Sequence, residues 1–147
     1  MYRNEYKGKE SLIDFIIEGK PQPLQRHRST RRGIMYDPSK QDKVNFLAKC
    51  LEFAPKTPLE GALWIEIVFS MPRPKSHYRT GRNAGKLKDY SPTMHTKKPD
   101  LDNLVKFVCD ALDRKFYLDD AQITRIQAVK IYAEHPSTEI TIMEDYK

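Results

Sequence analysis

Cysteine is scarce in this 147-residue chain: there are two, Cys50 and Cys109. They show no CxxC spacing, so a disulfide framework and a thiolate metal cluster are both excluded, and each sits in a helix-like apolar pattern that predicts a buried free thiol in a reducing cytosol. The four histidines, His27, His77, His95 and His135, have no metal-ligand spacing. Glycine is sparse, at six residues, and no glycine-rich phosphate loop or GxSxG is present. No apolar run approaches the roughly 20 residues that span a bilayer, which excludes a membrane partner. The start, Met1-Tyr2-Arg3-Asn4-Glu5, lacks the apolar core of a signal peptide, so a cytoplasmic protein is expected.

What remains is a charged chain of one-domain length. Hydrophobic residues make up 39% and charged residues 31%, with a net charge of +6. The charge is unevenly spread. Residues 1–99 carry 20 Lys and Arg against 10 Asp and Glu, whereas residues 100–147 carry 6 against 10. A basic majority with an acidic focus fits a polyanion held near a cation.

The hydrophobic pattern predicts a first strand over Leu12–Glu18 and a short one at Ile34-Met35-Tyr36. A helix follows from Asp37-Pro38, with Val44, Leu47, Ala48 and Leu51 as its buried face. Gly61–Met71 is apolar at nearly every position from Ala62 to Phe69 and is expected to be a central strand covered on both faces, with Trp64 in the core. Residues 73–99 form a long, basic connection with one acid, Asp89, either ordered for function or mobile until a partner binds. A second helix over Asp100–Leu112 has a stripe of Leu101, Leu104, Val105, Val108 and Leu112, with Phe107 off it. Strands over Ile123–Ala133 and Thr138–Met143 close the chain. The expected fold class is α+β: a single domain, residues 1–147, with a mixed sheet and two main helices packed on it.

The acidic focus holds the chemistry. Asp100 and Asp102 open the second helix, Lys106 lies four residues after Asp102 on the same flank, and Asp119-Asp120 precedes the next strand. Carboxylates from two places suit Mg2+, which takes a few protein oxygens and keeps waters. Such an ion polarises a phosphate and lowers the pKa of a water. The same acids also fit a plainer role: Asp at a helix start caps it, Asp102 and Lys106 form an ordinary pair, and Asp119-Asp120 is turn chemistry. Spacing alone leaves both readings standing.

The run Lys98-Pro99-Asp100-Leu101-Asp102-Asn103-Leu104-Val105-Lys106, then Asp110-Ala111-Leu112, then Leu118-Asp119-Asp120-Ala121-Gln122 and Val129-Lys130, resembles the core of RusA-type Holliday junction resolvases. The resemblance implies a homodimeric endonuclease, dependent on Mg2+ with Mn2+ as substitute, that resolves four-way DNA junctions by paired symmetric nicks and is often encoded by phages or prophages. It places the metal-linked aspartates at Asp100, Asp102 and Asp120, the essential lysine at Lys106, and Asp119 as a further acid of less defined role. The basic stretch that usually precedes the motif is spread here over residues 73–98. Arg26, Arg28, Arg31 and Arg32 in one loop, with Lys97 and Lys98 beside the acids, are the expected DNA-backbone contacts. Tyr78 and Tyr90 are candidates to stack on an unpaired base. The competing class is a branched-DNA-binding module or recombination accessory protein without strong cutting.

Overall fold

The structure, a computed structural model, describes residues 11–145. The elements run β1 (Ser11–Glu18), β2 (Arg28–Ser29), β3 (Met35–Tyr36), α1 (Lys40–Cys50), β4 (Leu63–Pro72), α2 (Leu101–Leu112), β5 (Ile123–Ala133) and β6 (Ser137–Glu144). Four strands form one sheet in the order β1-β6-β4-β5, and β2 and β3 form a separate hairpin. β4 runs parallel to β5 and antiparallel to β6, which in turn pairs antiparallel with β1. The fold is therefore the expected α+β class, with a mixed sheet and two helices.

Alternation along β4 builds the core. Leu63, Ile65, Ile67, Phe69 and Met71 are buried and face Phe15, Ile17, Ile140 and Ile142 of the neighbouring strands. Leu104, Val108 and Leu112 of α2 close over them. On the opposite face of β4, Trp64 is buried with the Arg125 guanidinium 4.8 Å from its ring centroid, while Glu66, Val68 and Ser70 are half-buried. Even cover on both faces, as the apolar run predicts, holds at Trp64 only. Desolvation raises the Glu66 carboxyl above the usual carboxylate range.

The second helix buries the expected stripe, with Phe107 added, whereas the first helix buries a different face. In α1, Val44 and Leu51 are 54% and 49% exposed. The inward face is instead Lys43, Phe46, Leu47 and Cys50, another set with helical spacing rotated by one residue. Phe46 decides the rotation, because it meets Phe107 of α2 edge-on at 5.7 Å between ring centroids. Phe107 is thus core, and α2 buries two sides, one on the sheet and one on α1. Both cysteines are buried, and burial pushes each thiol up to about 12.

The 73–99 connection is tied down rather than loose. It folds back on itself where Arg79 N donates to Lys86 O and Lys88 N donates to His77 O. Its end lies along β5, with His95 N donating to Lys130 O and Tyr132 N donating to Thr93 O. His77 and His95 both pack on the Tyr132 ring, and Arg73 donates to Pro92 O at 2.7 Å.

The packing sets a clear contrast in stability. Phe107→Ala removes a buried ring between two helices and should cost about 3–5 kcal/mol. Val44→Ala, on the exposed face of α1, should stay within about 0.5 kcal/mol. Urea unfolding of the two variants measures both, and equal losses would overturn the assigned helix face.

Candidate metal centre

The start of α2 is held from behind by Lys130 of β5. Its ammonium donates to Lys97 O and to Pro99 O, each at 2.6 Å. Asp100 then takes the N-cap position, but its side chain makes no capping hydrogen bond. It accepts instead from Lys98 Nζ at 2.8 Å. That hydrogen bond first, and the lysine charge second, hold the Asp100 carboxyl below the usual range. Asp102 and Lys106 lie exposed on successive turns, and Asp110 continues the same flank one turn on. Lys43 of α1 reaches Asp110 at 3.8 Å while pairing with Asp37 at 2.6 Å.

A different set of bonds shapes the segment after α2. Tyr117, fully buried, donates its hydroxyl to Cys109 O at 2.6 Å, and Leu59 N donates to Phe116 O, so the chain is pinned to the sheet's end. Asp119 and Gln122 form a capping box: Asp119 Oδ1 accepts from Ala121 N, and Gln122 Oε1 accepts from Asp119 N. Gln122 Nε2 also donates to Leu59 O and Gly61 O, which fixes the turn against the start of β4. Asp120 N donates to Asp113 Oδ1 at 3.0 Å.

These bonds gather Asp113, Asp119 and Asp120 so that one carboxylate oxygen of each lies within 4.8 Å of the others. Desolvation first, then the charge of Asp113, a hydrogen bond with Asp119, and the charges of Asp119 and Asp110 raise the Asp120 carboxyl above its ordinary value. A divalent cation relieves that repulsion, and an all-oxygen donor set with room for water fits Mg2+ or Mn2+. The residues present therefore fit a hard metal ion.

The chain does not bring all the sequence-predicted ligands together. Asp120 stands with Asp113 and Asp119 beyond the end of α2, whereas Asp100 and Asp102 stand at its beginning. Between the N-cap Asp100 and the C-cap Asp113 lies a helix of 12 residues, about 18 Å long. The expectation that Asp100, Asp102 and Asp120 meet around one cation is not met within a single chain, and the rise of α2 is the reason. Asp113 went unread in the sequence. Its only signal was its place three residues after Asp110, and its role depends on the return of the chain through Phe116-Tyr117.

Comparison with known proteins places the chain in a family. Residues 18–143 match the family described as Endodeoxyribonuclease RusA. The chain is also 32% identical over 137 residues to the uncharacterized protein YqaN of Bacillus subtilis (strain 168), covering 90% of this chain and 96% of YqaN. The chain belongs to the RusA endodeoxyribonuclease family. The RusA match covers everything from the end of β1 to β6, including both acidic groups and the hairpin. Family membership indicates an endodeoxyribonuclease of the Holliday junction resolvase type, acting on branched DNA. Among the described residues no helix is long and apolar enough to cross a membrane.

The basic residues expected to meet DNA in this RusA-family chain are all at the surface. Arg26, Arg28, Arg31 and Arg32 are exposed on the β2–β3 hairpin and its stem. Lys97 and Lys98 are exposed beside Asp100, although Lys98 is engaged by that carboxylate. Tyr90 is 83% exposed in the basic connection, whereas Tyr78 is half-buried.

The raised Asp120 carboxyl has a thermodynamic consequence. A carboxyl raised on folding favours the folded state at low pH, and that contribution is lost as pH rises through the folded value. Asp120→Asn should therefore melt at a higher temperature than the wild type at pH 7 in EDTA. The advantage should vanish as pH falls to about 4, where the unfolded carboxyl also protonates. Mg2+ should raise the melting temperature of the wild type and not of the variant. An Asp120→Asn melting temperature at or below wild type in EDTA at pH 7 would refute the raised carboxyl.

Proposed function

We propose that this chain is a Mg2+-dependent, structure-specific endodeoxyribonuclease that cuts four-way DNA junctions by paired symmetric nicks, with Asp100, Asp102 and Asp120 as metal-linked residues. The observation that carries the reading is the exposed placement of the motif acids at the start of α2. Asp100 sits at a helix N-cap without capping it, its carboxylate paired with Lys98 instead, and Asp102 is exposed in the first turn. Asp119, by contrast, is engaged in a capping box, which makes it a positioning residue for Asp120.

A bound Mg2+ would supply Lewis acidity toward the scissile phosphate and an acidified water. The chain's own residues do the rest. Asp100, Asp102 and Asp120 supply oxygen donors. Lys106, on the same flank as Asp102, places a cation where charge develops on the phosphate. Lys97 and the hairpin arginines hold the DNA backbone on either side.

The separation of the two acidic groups favours a homodimer. In a two-fold assembly with the α2 helices facing one another in opposite directions, the start of one helix lies against the end of the other. Both ends of the acidic flank then contribute to each of two equivalent sites. Two sites related by a two-fold axis match the symmetry of a four-way junction, and paired nicks follow from it.

A synthetic four-way junction, with and without Mg2+, tests the proposal. The wild type should cut opposing strands only with the metal. Asp102→Asn and Lys106→Ala should each lower the cutting rate by at least about 100-fold while leaving junction binding in EDTA within a few-fold. Binding without metal-dependent cutting by the wild type would favour a branched-DNA-binding module, and undiminished cutting by Asp102→Asn would reject the assigned site.

A further inference from the structure

The β2–β3 hairpin has a feature that phosphate binding leaves unexplained. At its tip Gly33 N donates to Thr30 O at 2.9 Å, and Gly33 adopts φ +78°, so Arg31 and Arg32 occupy the centre of the turn. Immediately after the turn, Ile34, Met35 and Tyr36 are 61%, 65% and 46% exposed. Single exposed apolar side chains are ordinary, but three consecutive large ones on a ribbon otherwise dominated by arginine mark an interaction site.

The register shows what kind of partner fits. Arg28 pairs opposite Tyr36 and Ser29 opposite Met35, so Tyr36 shares a face with Arg28 and Met35 points to the other. Ile34, two residues from Tyr36, lies on the Tyr36 face. The ribbon is therefore apolar on both faces. A partner protein laid on one face leaves the other side wet, whereas two base planes cover both at once.

The hairpin is also held at the proposed site. Leu24 N donates to Asn103 O at 2.9 Å, one residue from Asp102. Gln25 N donates to the buried Ser39 Oγ at 2.8 Å. On the returning side, Asp37 pairs with Lys43, which reaches Asp110. Both ends of the ribbon are thus tied to the flank of α2 that carries Asp102, Lys106 and Asp110.

We propose that the β2–β3 hairpin is a wedge that enters the base stack at the centre of branched DNA, with Ile34, Met35 and Tyr36 against exposed base planes and Arg28, Arg31 and Arg32 on the flanking phosphates. The inference rests on the junction-cutting reading above. Apolar side chains insert where stacking is most easily broken, and at a branch point the stack is already interrupted. The wedge therefore distinguishes a junction from an intact duplex, which the arginines alone do not.

The test uses a four-way junction with 2-aminopurine at its centre and a matched duplex, both in EDTA so that nothing is cut. Wild-type protein should raise junction fluorescence about threefold or more, because the probe brightens when unstacked, and should leave the duplex little changed. The triple variant Ile34→Ser, Met35→Ser, Tyr36→Ser should bind the junction within about tenfold of wild type through its arginines, yet lose the fluorescence rise. Its Mg2+-dependent cutting should fall at least about tenfold. Arg31→Ala with Arg32→Ala should weaken junction and duplex binding alike and reduce the salt slope by about 2.

A triple variant that keeps both the fluorescence rise and the cutting rate overturns the wedge while the nuclease reading stands. A wild type that neither binds nor cuts junctions overturns both. Conversion of a wild-type dimer to a monomer by the triple variant, seen in sedimentation, makes the ribbon a subunit interface and also overturns the wedge. If the triple variant melts below wild type, Met35→Ser alone decides by the same fluorescence readout.

Discussion

The parallel pairing of β4 with β5 governs the rest of this molecule. Antiparallel neighbours need only a tight turn, but parallel neighbours need a crossover that returns the chain to the same end of the sheet. Here that crossover is the whole of residues 73–122, made of a basic connection, α2 and a capped turn. Lys97, Lys98, Asp100, Asp102, Lys106, Asp119 and Asp120 all belong to it. The sheet thus supplies a rigid frame, and its longest obligatory connection carries the candidate chemistry.

Charge follows the same division. The basic connection lies along the edge of β5, pinned through Tyr132 and Lys130, and the basic hairpin is pinned to α2. Between them runs an acidic flank, from Asp100 through Asp102 and Asp110 to Asp113 and Asp120. Its cationic neighbours, Lys98 at one end and Lys43 near the other, each engage one carboxylate of this flank and leave Asp120 among like charges. A polyanion drawn to the basic surfaces meets an acidic ridge, where desolvation first and neighbouring carboxylates second raise the Asp120 carboxyl.

Lys130 illustrates how the frame reaches the site. It is a strand residue, yet its ammonium satisfies two backbone carbonyls just before α2 and lies close enough to Asp100 to help lower its carboxyl. In the sequence it shows only as a late continuation of the family motif. Bonds of this kind between distant parts of one chain leave no periodic trace, because the partners are backbone atoms that every residue shares.

By itself, the sequence determined the element types, the α+β class, the long apolar strand, the start of α2 after Pro99, and the acids and lysine that resemble the RusA core. These depend on local rules of side-chain periodicity, proline geometry and motif spacing, which a linear chain displays. Tertiary structure alone decided which face α1 buries, since Phe46 needed Phe107 to choose it, and that Arg28-Ser29 pairs with Met35-Tyr36 into a two-faced ribbon. It also decided that Asp100 does not cap its helix while Asp119 caps its own turn. Most of all, it decided that Asp120 joins Asp113 rather than Asp100 within one chain. Sequence spacing places two acidic groups on either side of a helix, but only the rise of that helix, once folded, sets how far apart they stand.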